Sequence, residues 1–313
     1  MSTRWTPRQM PQQQGRLAII TGANSGIGFH TARYLARAGT QVILACRNAE
    51  KGEAARAKIA SEDSAAKLEV RVLDVADLDS VRRFATEFLN AGRPLDLLIN
   101  NAGVMALPTR RITPQGFEMQ FGTNHLGHFA LTGLLLPALL QQTGSRIVTV
   151  ASIAHKGGVL NFDDLNAERK YEPRKAYQQS KLANLIFGIE LDRRLRAKSV
   201  DSASIIAHPG VAVTNIVSNG MGTGLQGRIA SAAIALFAQS DDRGSWPTLF
   251  AATSPEAHGG GYYGPDGIAE VKGTPVEVQP KPKALDPQAG KRLWQVSEEM
   301  TGVHYDAIAL SAV

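Results

Sequence analysis

Short apolar runs alternate with longer stretches whose apolar side chains recur every three or four positions, and this alternation continues from Arg16 to Tyr263. The runs Leu17 to Ile20, Gln41 to Cys46, Leu68 to Leu73, Leu95 to Ile99, Arg146 to Val150 and Ser202 to Ala207 predict strands, with a short final strand near Gly261 to Tyr263. Between them the spacing predicts helices over Phe29 to Ala38, Asn48 to Ala60, Asp77 to Phe88, Phe117 to Gln142 and Arg174 to Arg196. In the last of these, Leu182, Leu185, Ile186, Ile189 and Leu195 share one helical face. Strands rich in Val, Ile and Leu that alternate with helices imply an α/β domain. Its single, doubly wound parallel sheet would be buried on both faces by helices.

A chain of 313 residues with 43% hydrophobic content can bury one sizeable core without dividing. The expected catalytic domain is 15–267. The segment 1–14, MSTRWTPRQMPQQQ, is polar, Gln-rich and broken by proline, which predicts a disordered tail without the apolar segment of a signal peptide. The segment 268–313 begins Pro-rich and ends in a helical stretch, Gln288 to Met300, expected to pack back on the domain. No integral membrane segment is expected, because the nearly apolar stretch Ala130 to Leu140 is too short and contains Gly133 and Pro137. A single cysteine, Cys46, forms no internal disulfide, in keeping with a reducing, cytoplasmic setting. The net charge of +6 does not make a nucleic-acid surface, since basic residues are interspersed with acidic ones and the pairs Arg82-Arg83 and Arg193-Arg194 lie on amphipathic helices.

Candidate chemistry begins at the first strand. Its end runs directly into Gly22-Ala23-Asn24-Ser25-Gly26-Ile27-Gly28 and then into a helix. Glycines at a strand-to-helix turn let the backbone approach a pyrophosphate, whose charge is favoured by the free N–H groups at the helix start. A second candidate is Tyr177 with Lys181, one helical turn apart on one face. An ammonium near a phenol favours the phenolate, so Lys181 is expected to lower the pKa of Tyr177 from its ordinary value near ~10.

In chain order, Thr21-Gly-x-x-x-Gly-x-Gly28, Asn100-Asn-Ala-Gly103, Asn124, Ser152, Tyr177-x-x-x-Lys181 and Pro209-Gly210 resemble the short-chain dehydrogenase/reductase family, over roughly Arg16 to Asp266. The stretches NHLGHF, ASIAH, AYQQSKLAN and GGYYGP are most similar to the branch with retinol dehydrogenases, the WW-domain oxidoreductase and protochlorophyllide reductase. The resemblance implies a Rossmann-type fold and a nicotinamide cofactor. It makes Tyr177 the general acid in reduction and the base in oxidation, with Lys181 on the nicotinamide ribose. Ser152 would orient the substrate oxygen, and Asn124 would hold a water linking Lys181 to solvent. Gly22, Asn24, Ser25, Gly26, Ile27 and Gly28 would form the pyrophosphate turn, with Asp74 and Val75 at the adenine. Asn101, Ala102 and Gly103 would line the adenosine ribose, while Pro209, Gly210 and Thr214 would lie near the nicotinamide. Asn100 is expected to tie strands together rather than to touch the ligand. Self-association through helices Phe117 to Gln142 and Arg174 to Arg196 is common in the family, although the insertion before Tyr177 and the C-terminal segment could block it.

The end of the second strand bears on the cofactor. It reads Ala45-Cys46-Arg47-Asn48, with no carboxylate to accept from ribose hydroxyls and with a guanidinium suited to a 2′-phosphate. NADP(H) is therefore expected over NAD(H). Hydride exchange with a lipophilic aldehyde or ketone, or the corresponding alcohol, is the leading expectation. Ile216, Val217, Met221, Leu225, Ile229, Ile234, Leu236 and Phe237 would form an apolar substrate lid near 215–241, the alternative being a surface helix over Arg228 to Ala238. One alternative function is a catalytically idle dinucleotide-binding redox sensor, which retention of all four catalytic residues disfavours. Another is a light-dependent tetrapyrrole reductase, but that enzyme has a cysteine after its Pro-Gly, where this chain has Val211. His125 and His128 lack accompanying acidic ligands, so no metal site is expected.

Overall fold

The computed structural model describes residues 4–105, 107–211 and 239–310. Strand β1 (Leu17–Thr21) is buried at every position and pairs in parallel with β2 (Gln41–Cys46) on one side and β4 (Leu97–Asn100) on the other. Such a strand has no solvent face, which is why its sequence is a continuous apolar run rather than an alternating one. The full sheet has eight strands in the order β3-β2-β1-β4-β5-β6-β7-β8. β3 is Leu68–Val72, β5 Ser145–Val150, β6 Ser202–Ala207, β7 Tyr262–Pro265 and β8 Pro275–Glu277. The chain leaves β1 toward one edge and returns to pair β4 beside it, so a cleft opens at the carboxyl ends of β1 and β4.

Helices cover both faces, as expected. On one face α1 (Gly26–Arg37) and α2 (Ala49–Glu62) bury Phe29, Leu35, Ala55 and Ile59 against the sheet. On the other, α3 (Leu78–Asn90) and the later helices enclose Phe84, Phe88, Phe129, Leu135 and Phe187. At roughly 1.5–3 kcal/mol for each large apolar side chain buried, these two layers carry the main favourable term in folding. The predicted helix over Phe117 to Gln142 is observed as α4 (Met119–Phe121), a π turn over Gly122–Leu126, and α5 (Gly127–Leu140). The predicted helix beginning at Arg174 is α6, Pro173–Ala197. No helix among the described residues is long and apolar enough to cross a membrane.

Three expectations need correction. The sheet is parallel only through β7, because β8 pairs with β7 antiparallel, with Gly264 opposite Val276. β8 was not anticipated: three residues carry no readable periodicity, and its Pro275 is tolerated at an edge where no N–H is needed. β3 is a partly exposed edge strand rather than one buried on both faces, with Val72 57% exposed. Residues 4–14, read as a disordered tail, pack on the domain. Trp5 stands edge-on, at 5.4 Å, to Phe250 of helix α7 (Trp246–Thr253), and Gln13 is buried. A tryptophan and a methionine in a polar tail suffice for that docking, because Met10 packs against the same cluster.

The C-terminal segment crosses the outer surface of two domain helices. Helix α8 (Pro287–Thr301) packs on α6 and α5, with Trp294 among Phe129 and Phe187 and the Arg194 guanidinium 4.0 Å from the Trp294 ring centre. Part of the helical surface expected to support self-association is thus covered by the chain itself.

Candidate active site

The cleft at the carboxyl ends of the strands is floored by the turn from β1 into α1. Gly22 and Gly26 take φ of +67° and +57°, which L side chains rarely adopt. At Gly28 the constraint is space, since a Cβ would lie 2.5 Å from both the Gly22 carbonyl oxygen and Asn101 Nδ2. The first N–H groups of α1 have no partner inside the helix, as at any helix start. Ser25 is the exposed residue of this turn, with Asn24 and Gly26 half-buried and Ile27 buried. Beneath it the Cys46 thiol accepts hydrogen bonds from the Ala23 and Asn24 amides, yet burial dominates and pushes the thiol up to about 11, leaving it protonated and inert.

The turn after β4 lies against this floor. The Asn101 amide nitrogen donates to the Thr21 carbonyl at 2.8 Å, and the Asn101 and Ala102 backbone N–H groups both donate to Thr21 Oγ1 at 2.9 Å. Asn100 donates to Thr132 Oγ1 at 2.9 Å, so its side chain braces β4 against α5 rather than tying strand to strand. A Cβ on Gly103 would stand 3.1 Å from Asn124 Oδ1 and 3.6 Å from Lys181 Nζ, so the glycine lets this turn pack close against both side chains. After β3, Asp74 accepts from the Ala76 backbone N–H at 3.0 Å while its own N–H donates to Ser80. Val75 is buried, its carbonyl so close to Gly127 that any side chain there would collide. Arg47, at the end of β2, is exposed.

Ser152 follows β5 and starts a short 3₁₀ turn, Ile153–Gly157, accepting from the Ala154 N–H at 3.1 Å. Its hydroxyl stands near enough to the half-buried Tyr177 phenol to work against the effect of burial on that phenol, although 25 positions separate the two in sequence. The spacing is bridged by the insertion, which is pinned where Tyr171 donates to the Leu107 carbonyl at 2.7 Å and Gln179 donates to Leu165 at 3.0 Å. Lys181 is 5% exposed and donates to the Val150 carbonyl at 3.0 Å, its Nζ lying 5.9 Å from the Tyr177 ring centre.

This arrangement corrects the expected electrostatics. Burial pushes the Tyr177 phenol up, opposed by the Ser152 hydroxyl, and burial pushes Lys181 down to about 8. The ammonium is engaged by a backbone carbonyl rather than by the phenol oxygen, so desolvation wins at Tyr177 over the anticipated cationic effect.

Asn124, in the π turn, is fully buried. Its Oδ1 accepts from Val104 N–H at 2.8 Å, and its Nδ2 donates to the Val104 carbonyl and to Ser180 Oγ, both at 2.9 Å. Its backbone carbonyl accepts from His128 Nδ1 at 3.0 Å. The residue expected to hold a water is thus a junction between the β4 turn and α6. Pro209 and Gly210 follow β6. The Gly210 N–H donates to His208 Nδ1 at 3.2 Å, and Gln239 donates to the Pro209 carbonyl at 2.6 Å. His208 Nε2 lies 3.1 Å from Glu270, and the neighbouring imidazole with the Lys156 ammonium, which donates at 2.7 Å, holds that carboxyl down to about 2. Thr214 and the lid residues between 215 and 238 lie outside the described residues.

Several contributors were not singled out from sequence. Ser180 and Asn184 are buried on α6, where Ser180 links Asn124 to the Tyr177 carbonyl and Asn184 donates to Val150 at 3.2 Å. The available signal was a helix whose inward face interleaves polar residues with leucines, since buried polar groups need fixed partners. His125 and His128 point to separate partners, Ser297 and Thr21, and burial pushes them down to about 3 and about 4, keeping both neutral.

A family model described as short chain dehydrogenase matches residues 16–223. Human retinol dehydrogenase 13 is 41% identical over 302 residues, covering 94% of this chain and 87% of that protein. Mouse polyprenol dehydrogenase is 40% identical over 302 residues, covering 95% and 87%. A crystal structure of an uncharacterised protein from Mycobacterium Paratuberculosis superposes with a TM-score of 0.80 at 42% identity, covering 97% of this chain and 99% of that one. A candidate NAD(P)-dependent gluconate 5-dehydrogenase from Beutenbergia cavernae, with bound NADP, has a TM-score of 0.59 at 27% identity, covering 77% and 91%. Matched by the family model over most of its length, and with retinol dehydrogenases among its relatives, the chain belongs to the short-chain dehydrogenase family and is an oxidoreductase of the retinol dehydrogenase branch.

Proposed function

We propose that the protein exchanges hydride between NADP(H) and a lipophilic aldehyde or ketone, running in reverse as an alcohol dehydrogenase. The observation that carries this reading is the convergence of Ser152, Tyr177 and Lys181 at the carboxyl end of β5, with Ser152 acting on the Tyr177 phenol and Lys181 held on the Val150 carbonyl. The residues present suit a dinucleotide: Gly22 and Gly26 take positive φ, the absent side chain at Gly28 lets α1 start tight against Gly22 and Asn101, and the helix start favours an anion. A bound nicotinamide would supply or accept the hydride. The protein's share is then to place the substrate oxygen at Ser152 and Tyr177 and to move one proton through the Tyr177 hydroxyl. Lys181, held by Val150, would bond the nicotinamide ribose. Asp74, Val75, Asn101, Ala102 and Gly103 would line the adenosine side, and Asn124 would hold the β4 turn against α6. Pro209 and Gly210 would border the nicotinamide, with Thr214 at its carboxamide.

Preference for NADP(H) is supported by Arg47, exposed at the end of β2 where no carboxylate stands, and by the NADP-bound neighbour. Arg47→Ala is expected to lose roughly ten- to a hundredfold in NADPH affinity, the worth of a charge-assisted hydrogen bond, with little change for NADH. Titrating both cofactors checks it: equal losses would assign Arg47 to folding or to the adenine side instead.

The apolar character of the substrate is supported by the relatives' names, since retinol and polyprenol are long isoprenoid alcohols. The deciding experiment is NADPH consumption across aldehydes of rising chain length. KM should fall as the chain grows, because each buried methylene adds about 0.8 kcal/mol. A KM independent of length would refute an apolar binding surface.

A further inference from the structure

We propose that His128 is a positioning residue that locks the cofactor-side turn and the catalytic-side turn into one hydrogen-bonded register. The inference rests on the reading above that the Asn101–Gly103 turn borders a dinucleotide. His128 sits in the first part of α5, 1% exposed. Its Nδ1 is 3.0 Å from the Asn124 carbonyl oxygen, and a carbonyl can only accept, so Nδ1 carries the proton. Burial, with the nearby Lys181 charge adding to it against the Asn124 hydrogen bond, keeps the ring neutral, at about 4. Nε2 is therefore an acceptor, and it stands 2.9 Å from Thr21 Oγ1.

Thr21 has one hydroxyl proton and two candidate acceptors, His128 Nε2 at 2.9 Å and the Ile99 carbonyl at 3.3 Å. The shorter contact directs the proton to the imidazole. The hydroxyl oxygen then faces the Asn101 and Ala102 N–H groups, both at 2.9 Å. On its other side Asn124 is bonded to Val104 and to Ser180, whose hydroxyl donates to the Tyr177 carbonyl at 2.8 Å. One route of bonds thus runs from the Asn101–Ala102 backbone through Thr21, His128, Asn124 and Ser180 to Tyr177. His128 is its only ionisable link. The π turn at Gly122–Leu126 explains why a side chain takes part, since a shifted ladder disturbs the regular pairing of helix carbonyls and often marks functional segments.

The two ring nitrogens can be tested separately. In an asparagine the amide nitrogen takes the place of Nδ1 but does not extend to Thr21; a glutamine extends to Thr21 but does not reproduce the short bond to Asn124. With the full chain, His128→Phe should raise the NADPH dissociation constant and lower kcat, each by roughly tenfold, the worth of a buried hydrogen bond. His128→Asn should recover kcat while NADPH binding stays weak, and His128→Gln should recover NADPH binding while kcat stays low. Identical behaviour of the Asn and Gln variants, or loss of thermal stability alone, would reduce His128 to packing and overturn the proposal. A readout independent of turnover is the ¹⁵N imidazole spectrum of His128 without added cofactor. The neutral Nδ1–H form should persist unchanged from about pH 8 to about pH 5.5, well above its lowered pKa; an Nε2–H form, or titration near the ordinary histidine value, would break the route outright. Wild-type protein that binds no NADPH would instead refute the dinucleotide reading, with the imidazole spectrum still deciding the hydrogen-bond route.

Discussion

Tyr177→Phe is expected to lower turnover by roughly 10²–10⁴, the usual worth of a positioned acid or base, while leaving fold and NADPH affinity close to wild type. The change removes one oxygen from a half-buried ring, while Ser152 keeps its own bond from Ala154 at 3.1 Å and the turn after β5 keeps its shape. The phenol is pushed up by burial in this structure, which favours the neutral hydroxyl and hence the donor form used in reduction. Oxidation needs the phenolate. Lys181, pushed down to about 8, is charged below that pH, but its Nζ is turned to the Val150 carbonyl. A change in what Lys181 bonds when the cleft fills would be needed to make the phenol more acidic. Steady-state rates and thermal unfolding of the purified variant decide the matter: wild-type turnover in a folded Tyr177→Phe protein would remove Tyr177 from the chemistry.

Much of this arrangement was legible because the sheet is buried on both faces. Continuous apolar runs located β1, β2 and β6 to within a residue, and the resemblance placed Gly22 to Gly28, Ser152 and Tyr177 at strand ends and helix faces that converge. Where burial is partial the pattern weakens. β3 lies at an edge with Glu69 and Arg71 in its middle, and it ends at Val72 rather than Leu73. β8 has three residues and a proline. The docking of Trp5 depends on Phe250, far away in sequence, so no local pattern announces it. The direction of the Tyr177 shift was misread for a similar reason. A four-residue spacing states that two side chains share a face, but not that a lysine prefers the carbonyl of a neighbouring strand, and the competition between desolvation and charge is decided there. Asn124, likewise, was recognisable as a site residue, whereas its partners Val104, Ser180 and His128 come from three segments that only the fold assembles.

Gly28→Ala is expected to weaken NADPH binding by roughly 10²–10³, with a smaller loss of stability of about 1–3 kcal/mol, typical of an overpacked site. The added Cβ would lie 2.5 Å from the Gly22 carbonyl oxygen and 2.5 Å from Asn101 Nδ2. Neither neighbour is a free end. Gly22 is backbone in the turn, its N–H bonded to the Ala45 carbonyl at 2.8 Å, and the Asn101 amide is committed to the Thr21 carbonyl at 2.8 Å. Relief therefore requires α1 to back away from the turn or Asn101 to release β1, and either movement displaces the helix start proposed to face the pyrophosphate. Losing two hydrogen bonds to charged oxygens, at about 1.5–2 kcal/mol each, the lower part of the range for such bonds, accounts for the size of the effect. Asn24→Ala makes the useful contrast, since it alters the same turn without adding an atom to the tight approach and should cost far less. Calorimetric titration of both variants with NADPH separates the cases. Wild-type affinity in Gly28→Ala would mean that the dinucleotide does not lie against this turn, whatever the turnover of the enzyme.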